Sequence, residues 1–318
     1  MAKQENNQGK INTIGIIGLG LMGQGIASCF VRYGFNVIAY SRTAAREQET
    51  LNHISGSFKK LIDRNIISES DIQGWEERFK YVNSLEEMED CQFIVETVGE
   101  SLDLKRFIYN TIESVVGKDV VIATNTSGIS ISLLQKELVN KERFIGMHWA
   151  EPAEITKYLE LSRAEDTADY AVEIGRSIGE RCGKQPTILN YDISGLISNR
   201  LMYAMMREAM HLVEIGVADI ETVDRSFRND IGWWATLCGP FRWMDITGLP
   251  IYAKVMEGLF PDLCNTDKVP ALIKEKVDSK SKFYDYQENE EKEWEDMWTD
   301  FTHDISELVK KYEKKAKF

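Results

Sequence analysis

The sequence lacks features that mark several classes of protein. No apolar run among its 318 residues reaches the length of a membrane span, so we expect no contact with a membrane. Positive charge is not in excess: the formal net charge of -13 argues against a nucleic-acid partner, because a phosphate backbone would repel the protein. Residues 1–10 are polar and contain no apolar core, so we do not expect a signal peptide.

Cysteine is scarce and scattered. The chain has five cysteines and no C-x-x-C pair: Cys29, Cys91, Cys182, Cys238 and Cys264. This usage predicts free thiols in a reducing cytoplasm rather than a disulfide framework or a metal site. The remaining composition, 43% hydrophobic and 28% charged, is typical of a globular protein with a sizeable core. The length suggests two domains or one large domain.

A glycine-rich turn follows the first apolar stretch, residues 13–17. Gly18 permits a tight turn out of a strand, Gly20 lets the backbone approach a pyrophosphate, and Gly23 lets a helix pack against the strand. The helical pattern that begins here offers free N–H groups and a positive dipole end to phosphates. Because strand, turn and helix follow in this order, the motif predicts a dinucleotide site. The predicted phosphate-binding residues are Gly18, Gly20, Leu21, Met22 and Gly23.

Short apolar segments and helical patterns alternate over the first part of the chain. The first helix is predicted over residues 24–33, and strands are predicted at 36–40, 93–95, 120–123, 144–147, 159–161 and 186–189. Helices are predicted at 102–116, 133–139 and 167–181, and residues 43–81 are interpreted as a helical excursion. The alternation predicts an α/β, Rossmann-type, doubly wound and mostly parallel sheet.

The pattern changes near residue 191. Residues 193–216 are predicted to form one long helix, and no convincing strand follows. We therefore predict a dinucleotide-binding domain over residues 1–190 and an all-helical domain over 191–318. The tail, residues 288–318, has an amphipathic pattern with an aromatic stripe. This stripe either covers its own domain or contacts a second subunit.

A histidine and a glutamate lie at the ends of two predicted strands. His148 closes one strand and Glu160 lies in the next. Because ligands bind beyond the carboxyl ends of strands in an open α/β sheet, the two side chains can meet at a site. A carboxylate that accepts from Nδ1–H fixes the histidine tautomer and leaves Nε2 to take a proton from a hydroxyl. The alternative is that His148 is a structural histidine, which is the more common role of a single histidine at the end of a strand.

Two further polar segments bear on this site. Asn125-Thr126-Ser127 follows the strand predicted at 120–123, and Ser194–Arg200 opens the long helix. Their amides and hydroxyls either reach a substrate or serve as caps.

Together these stretches resemble the L-3-hydroxyacyl-CoA dehydrogenase family over nearly the whole chain. The resemblance rests on the glycine fingerprint, Val95-Glu96 with Glu100 and Lys105, Asn125-Thr126-Ser127, Gly146-Met147-His148 with Glu160, Asn199-Arg200-Leu201, Gly239-Pro240-Phe241 and Phe283-Tyr284-Asp285-Tyr286. It implies hydride transfer from C3 of a 3-hydroxyacyl group to a nicotinamide, as in fatty acid metabolism, and a homodimer through the helical domain. The length and tail are more similar to the lambda-crystallin and carnitine dehydrogenase branch, which acts on free small 3-hydroxy acids.

The resemblance also implies roles for individual residues. His148 would be the general base, and Glu160 would orient it and stabilise its charge. Ser127 and Asn199 would hydrogen-bond the substrate oxygen or the histidine. The residues implied near the nicotinamide and its ribose are Glu100, Lys105 and Asn125.

Two departures from the family pattern affect specificity. Glu151 replaces the usual asparagine of an Asn-Pro pair. It makes His148 more basic, repels an acidic substrate or attracts a cationic one, or else points to solvent. The second strand ends in Ser41 and Arg42 where an NAD enzyme usually has an acid. Arg42, and less clearly Arg46, would pair with a 2′-phosphate, which predicts NADP over NAD. The alternative is that Arg42 stacks on adenine or is solvated, and that NAD is used.

The substrate is the least determined part of the prediction. Lys59, Lys60 and Arg64 either bind the phosphates of a CoA thioester or mark a solvated helix face. The free-acid relatives carry an arginine shortly after the glycine turn of the second domain, whereas the corresponding run 232–236 of this chain has none. Trp233 and Trp234 either line an apolar pocket, which favours an acyl or otherwise less anionic substrate, or fill the core. The alternatives are a dehydrogenase of a free acid such as carnitine or gulonate, and a non-catalytic cofactor-binding protein. The retained His148 and Glu160 argue against the last of these.

Overall fold

The computed structural model of the protein describes residues 11–136 and 138–316. The polar segment 1–10, for which no signal peptide is expected, lies outside the described residues, as do Glu137 and the last two residues of the predicted tail. The chain divides into a first unit that ends at Leu196 and a second that begins at Ile197. Within the described residues, no helix combines the length and apolar character needed to cross a bilayer.

An eight-stranded sheet forms the centre of the first unit, with the order β3-β2-β1-β4-β5-β6-β7-β8. The strands are β1 (Thr13–Ile17), β2 (Asn36–Tyr40), β3 (Phe79–Val82), β4 (Phe93–Glu96), β5 (Val121–Thr124), β6 (Phe144–Trp149), β7 (Tyr158–Ser162) and β8 (Gln185–Ile188). All neighbouring strands are parallel except β6 and β7. The order reverses between β1 and β4, which is the switch point where such sheets bind ligands. The predicted Rossmann-type sheet is confirmed.

Helices cover both faces of this sheet. They are α1 (Leu21–Arg32), α2 (Ala45–Asp63), α3 (Leu102–Val115), α4 (Ile131–Gln135) and α5 (Asp169–Arg181). Alternate strand residues point to opposite faces, so Ile16 joins the core beneath α1 while Ile17 joins the core beneath α3. Burial on both faces explains why the central strands are almost continuously apolar.

The predicted helical excursion over residues 43–81 is partly wrong. Helix α2 and a short turn at Glu69–Asp71, capped by Ser68, follow the prediction. The last residues instead form β3, an edge strand parallel to β2. This strand has only four residues, one of them a lysine, so its conformation depends on pairing with β2 rather than on a local apolar pattern.

The second unit is built of helices and contains no strand within its described residues, as predicted. Its helices are α6 (Ser198–Glu214), α7 (Ile220–Asn229), α8 (Ile231–Thr247), α9 (Leu249–Leu259), α10 (Ala271–Asp278) and α11 (Glu290–Ala316). Helix α6 begins later than the predicted residue 193, because Gly195 and Leu196 have φ values of 80° and 52°. Such left-handed residues cannot continue a right-handed helix. Helix α8 contains a kink at Gly239-Pro240.

Candidate active site

The glycine turn connects β1 to α1 and packs tightly against both of them. Gly18 has a φ of 103°, and its N–H donates to the Tyr40 carbonyl oxygen at 2.8 Å. A Cβ on Gly23 would lie 2.0 Å from the Gly18 carbonyl oxygen, so the helix can approach the strand only with glycine here. At Gly20 the space for a Cβ is open, and this residue begins α1 without a side-chain cap. The first turn of α1 also has no acidic residue, so it fits a diphosphate.

Ser41 and Arg42 lie directly beside this turn, because Tyr40 ends β2 next to Gly18. The Tyr81 hydroxyl donates to the Ser41 carbonyl oxygen at 2.8 Å and ties the loop to β3. Arg42 is exposed, whereas Arg46 Nη1 lies 2.5 Å from Glu49 Oε2. The end of β2 therefore carries a hydroxyl and a positive charge, with no carboxylate at the position that binds a ribose 2′-OH.

Glu96, the last residue of β4, forms the centre of a buried polar cluster. Its carboxylate accepts two hydrogen bonds of 2.8 Å from Lys105 Nζ, and both side chains are fully buried. It also accepts from the hydroxyls of Tyr109 and Thr124, each at 2.8 Å. This cluster joins β4, α3 and β5. Lys105 is thus engaged within the protein fold, and its predicted proximity to the ribose stays a prediction.

Glu100 and Asn125 hold the next two strand ends in place. Glu100 accepts from the Thr126 hydroxyl at 2.6 Å and from the Ser127 N–H at 2.8 Å, so it shapes the turn after β5. Asn125 Oδ1 accepts from the Trp149 N–H at 2.8 Å and connects β5 to β6. Three of the residues predicted at the site therefore share one hydrogen-bonded edge of the sheet, and they lie at its carboxyl side.

His148 and Glu160 meet across the antiparallel pair β6 and β7. They occupy directly opposed register positions, which brings His148 Nδ1 to 3.4 Å from Glu160 Oε2. Glu160 is buried, and the side chain of His148 is 13% exposed. Within the described parts of the chain no group hydrogen-bonds to Nε2. The imidazole is therefore held from one nitrogen, while the other is left for a ligand.

Tyr158 also contacts this pair, and the sequence interpretation missed it. Its hydroxyl oxygen lies 2.9 Å from His148 Nδ1 and donates a short hydrogen bond to Glu160 Oε2. The signal was available in principle, because residues two apart on a strand project from the same face. Tyr158 and Glu160 fulfil that condition. The antiparallel register that places Tyr158 diagonally across from His148 was not predictable from local sequence.

Glu151 lies in a different cluster from His148. Its Oε2 is buried while the residue as a whole is partly exposed, so the carboxylate is only partly turned to solvent. Burial and the nearby charge of Glu154 raise the pKa of Glu151 to about 7. His53 Nε2 lies 3.3 Å from Glu154 Oε1, and this contact raises the pKa of His53. The charges that act on Glu151 thus come from Glu154 and His53.

The remaining predicted site residues lie elsewhere in the chain. Asn199 is in the first turn of α6, in the second unit, so its predicted contact with substrate stays a prediction. Lys59 and Lys60 lie on α2, and Arg64 follows that helix. Trp233 is 73% exposed, while Trp234 stacks on Trp243 with ring centroids 5.9 Å apart. Trp233 therefore does not fill a core within one copy of the chain.

Comparison with known proteins identifies the family. A sequence model described as the NAD binding domain of 3-hydroxyacyl-CoA dehydrogenase matches residues 13–192, and one for the C-terminal domain of that enzyme matches 195–290. A 5-formyl-3-hydroxy-2-methylpyridine 4-carboxylate 5-dehydrogenase from Mesorhizobium japonicum is 34% identical over 274 residues, 86% of this chain and 87% of that one. A 3-hydroxybutyryl-CoA dehydrogenase from Bradyrhizobium diazoefficiens is 28% identical over 266 residues, 83% of this chain and 89% of that one.

A solved structure agrees with these matches. It is described as a 5-formyl-3-hydroxy-2-methylpyridine 4-carboxylic acid 5-dehydrogenase, an NAD+ dependent dismutase. The TM-score is 0.87 at 30% sequence identity, and the alignment covers 95% of this chain and 99% of that one. With the glycine turn and the His148–Glu160 pair already described, these matches show that the chain belongs to the 3-hydroxyacyl-CoA dehydrogenase family and is an oxidoreductase that uses a nicotinamide cofactor.

Proposed function

We propose that this protein is an NADP-dependent dehydrogenase that oxidises the C3 hydroxyl of a 3-hydroxyacyl compound of the 3-hydroxyacyl-CoA type. The observation that carries the proposal is the imidazole of His148, held at Nδ1 by β7, with no hydrogen bond to Nε2 from residues 11–136 and 138–316. It lies at the carboxyl edge of the sheet, the edge that also bears the glycine turn. A cofactor-binding protein without activity has no need of such a base.

In this mechanism His148 Nε2 takes the proton of the C3 hydroxyl as the C–H bond breaks. The bound nicotinamide supplies the chemistry of hydride acceptance. Glu160 offsets the positive charge that His148 gains, which stabilises the transition state. Ser127 and Asn199 would hydrogen-bond the substrate oxygen or His148, as the family resemblance implies. Glu100, Lys105 and Asn125 support the cofactor side of the site.

A second candidate substrate is a free small carboxylic acid. The observation in its favour is that the Mesorhizobium relative, at 34% identity, is named for activity on a pyridine carboxylate. The two candidates share the base and the hydride acceptor, and they differ in whether a CoA moiety must be bound. Lys59 of α2 is an exposed cation of the kind that CoA phosphates require.

A substrate panel tests the proposed function. We expect the purified protein to reduce NADP+ with 3-hydroxybutyryl-CoA, and to do so with a higher kcat/KM than with carnitine, gulonate or 3-hydroxybutyrate. Turnover of the free acids alone would replace the first candidate with the second. Failure with every compound, by a protein that still binds NADPH, would contradict both and favour a non-catalytic role.

The cofactor preference has its own test at Arg42. Removing a charge-assisted hydrogen bond to a 2′-phosphate costs about 1.5–3 kcal/mol, so we expect Arg42→Ala to lower kcat/KM for NADPH by about 10–100-fold. The value for NADH should change little, because NADH lacks that phosphate. Arg176→Ala is the matched control, because Arg176 lies on α5 outside the proposed site and is paired with Glu173 and Glu180. A wild-type protein that clearly prefers NADH would refute the NADP assignment.

The proposed assembly is a homodimer through the helical unit. In helices α6 to α10, all of whose residues are described, no side chain is fully buried, and Phe241 is 79% exposed. Helix α11 adds an exposed stripe of Trp294, Trp298, Phe301, Leu308 and Tyr312. So much exposed apolar surface favours a protein interface.

The proposed location is the cytoplasm. The five cysteines are all free thiols, which is typical of proteins in that reducing compartment.

Light scattering tests this assembly. We expect a dimer for the wild type and a shift towards monomer for Trp294→Glu/Trp298→Glu, because charges would enter the stripe. Glu295→Ala, on the same helix but outside the stripe, is the control. A wild-type monomer at micromolar concentration would contradict the proposed interface.

A further inference from the structure

The hydroxyl of Tyr158 lies between the proposed base and its carboxylate. Tyr158 Oη is 2.9 Å from His148 Nδ1, within hydrogen-bond distance, and the hydroxyl donates to Glu160 Oε2. The direct distance from Nδ1 to Glu160 Oε2 is 3.4 Å, longer than most N–H···O hydrogen bonds. The stronger path from imidazole to carboxylate therefore runs through the phenol.

The protons on this path can be assigned from hydrogen-bond chemistry. An ionised carboxylate only accepts, so the single hydroxyl proton of Tyr158 is directed at Glu160. The Tyr158 oxygen is then left to accept, and its partner is His148 Nδ1–H. A neutral imidazole protonated at Nδ1 has an unprotonated Nε2, which is the form a general base requires.

We propose that Tyr158 is a positioning residue for His148: it fixes the Nδ1–H tautomer and transmits the charge of Glu160 to the imidazole. This inference rests on the proposed role of His148 as base. Among the residues that the structure describes, Tyr158 and Glu160 are the titratable groups that contact the imidazole, and both belong to β7. The edge-on arrangement of the two rings, with centroids 5.6 Å apart at 84°, directs the hydroxyl at Nδ1.

Tyr158→Phe tests the role by removing one oxygen atom. A hydrogen bond to a charged group contributes about 1.5–3 kcal/mol, so we expect kcat to fall by about 10–100-fold with an unchanged KM. The acidic limb of the pH profile of kcat/KM should move to lower pH, because the imidazolium loses an acceptor. Tyr170→Phe, on the exposed surface of α5, is the matched control.

A shift of the acidic limb to higher pH would indicate a different role for Tyr158. If Tyr158 only filled space, Glu160 would close on Nδ1 in the variant, kcat would be retained, and the acidic limb would stay or move to higher pH. That outcome would overturn the proposal.

Histidine nitrogen NMR provides a readout that does not depend on turnover. The chain has four histidines, so His148 can be assigned by comparison with His148→Asn. We expect the Nδ1–H tautomer in the wild type and a mixture of tautomers in Tyr158→Phe. An unchanged tautomer would contradict the positioning role. If the tautomer changes although the wild type turns over no substrate, the positioning role holds and the proposed dehydrogenase function fails.

Discussion

Replacing His148 with asparagine is expected to lower kcat by about 100-fold to 10,000-fold, the range that general acid–base catalysis contributes. Asparagine is close in size and can still donate to the Tyr158 hydroxyl, so the strand pair should be kept. It cannot accept a proton at the position of Nε2. The measurement is steady-state kinetics with the substrate that the panel identifies, together with NADPH binding by fluorescence, which should not change.

The control for this variant is another histidine. His211 lies on α6 and is not part of the proposed machinery, so His211→Asn should stay within threefold of wild type. A His148→Asn protein that keeps its fold, binds NADPH and retains most of its kcat would show that His148 is not the base. The structural-histidine alternative would then account for its position at the end of β6.

Replacing Lys105 with methionine is expected to destabilise the protein by about 3–5 kcal/mol, the usual cost of leaving one partner of a buried ion pair alone. Glu96 would remain fully buried, and its charge would have only hydroxyl and backbone donors. The cost is large because several elements meet at this carboxylate. Urea unfolding measures the free energy difference.

Two further variants separate charge from packing. Lys118→Met removes an exposed lysine in the loop after α3 and should change the free energy of unfolding by less than about 0.5 kcal/mol. Glu96→Gln combined with Lys105→Met should recover part of the loss, because no net charge is then buried. If Lys105→Met alone costs less than about 1 kcal/mol, the ion pair with Glu96 does not hold this strand end together.

The glycine turn and the sheet were predictable because local physics determines them. Gly18 needs a positive φ and Gly23 needs the absence of a Cβ, so the sequence there has few alternatives. Strands buried on both faces are apolar along their length and stand out from the helices between them. Strand β3 was missed because its pairing with β2 decides its conformation, and pairing is not local.

The sequence predicted which residues form the candidate site, but it did not predict how these residues are arranged in space. His148 was found at the end of one predicted strand and Glu160 within the next, but their direct opposition depends on β6 and β7 being antiparallel in an otherwise parallel sheet. The same register also brings the Tyr158 hydroxyl into contact with His148. Glu151 was predicted near His148 or in solvent, whereas in the structure the charges of Glu154 and of His53 act on it, and His53 lies far from it in sequence.

The antiparallel pairing of β6 and β7 has a consequence for the evolution of substrate range. His148 and Glu160 are aligned by ladder hydrogen bonds, not by the connection over residues 150–157 that joins their strands. Substitutions in that connection therefore leave the alignment of the proposed base and its carboxylate to the strand pairing. Laboratory evolution of this protein towards new substrates can therefore begin at Ile155 and keep Glu154, whose contact with His53 belongs to the fold, while the register holds His148 opposite Glu160.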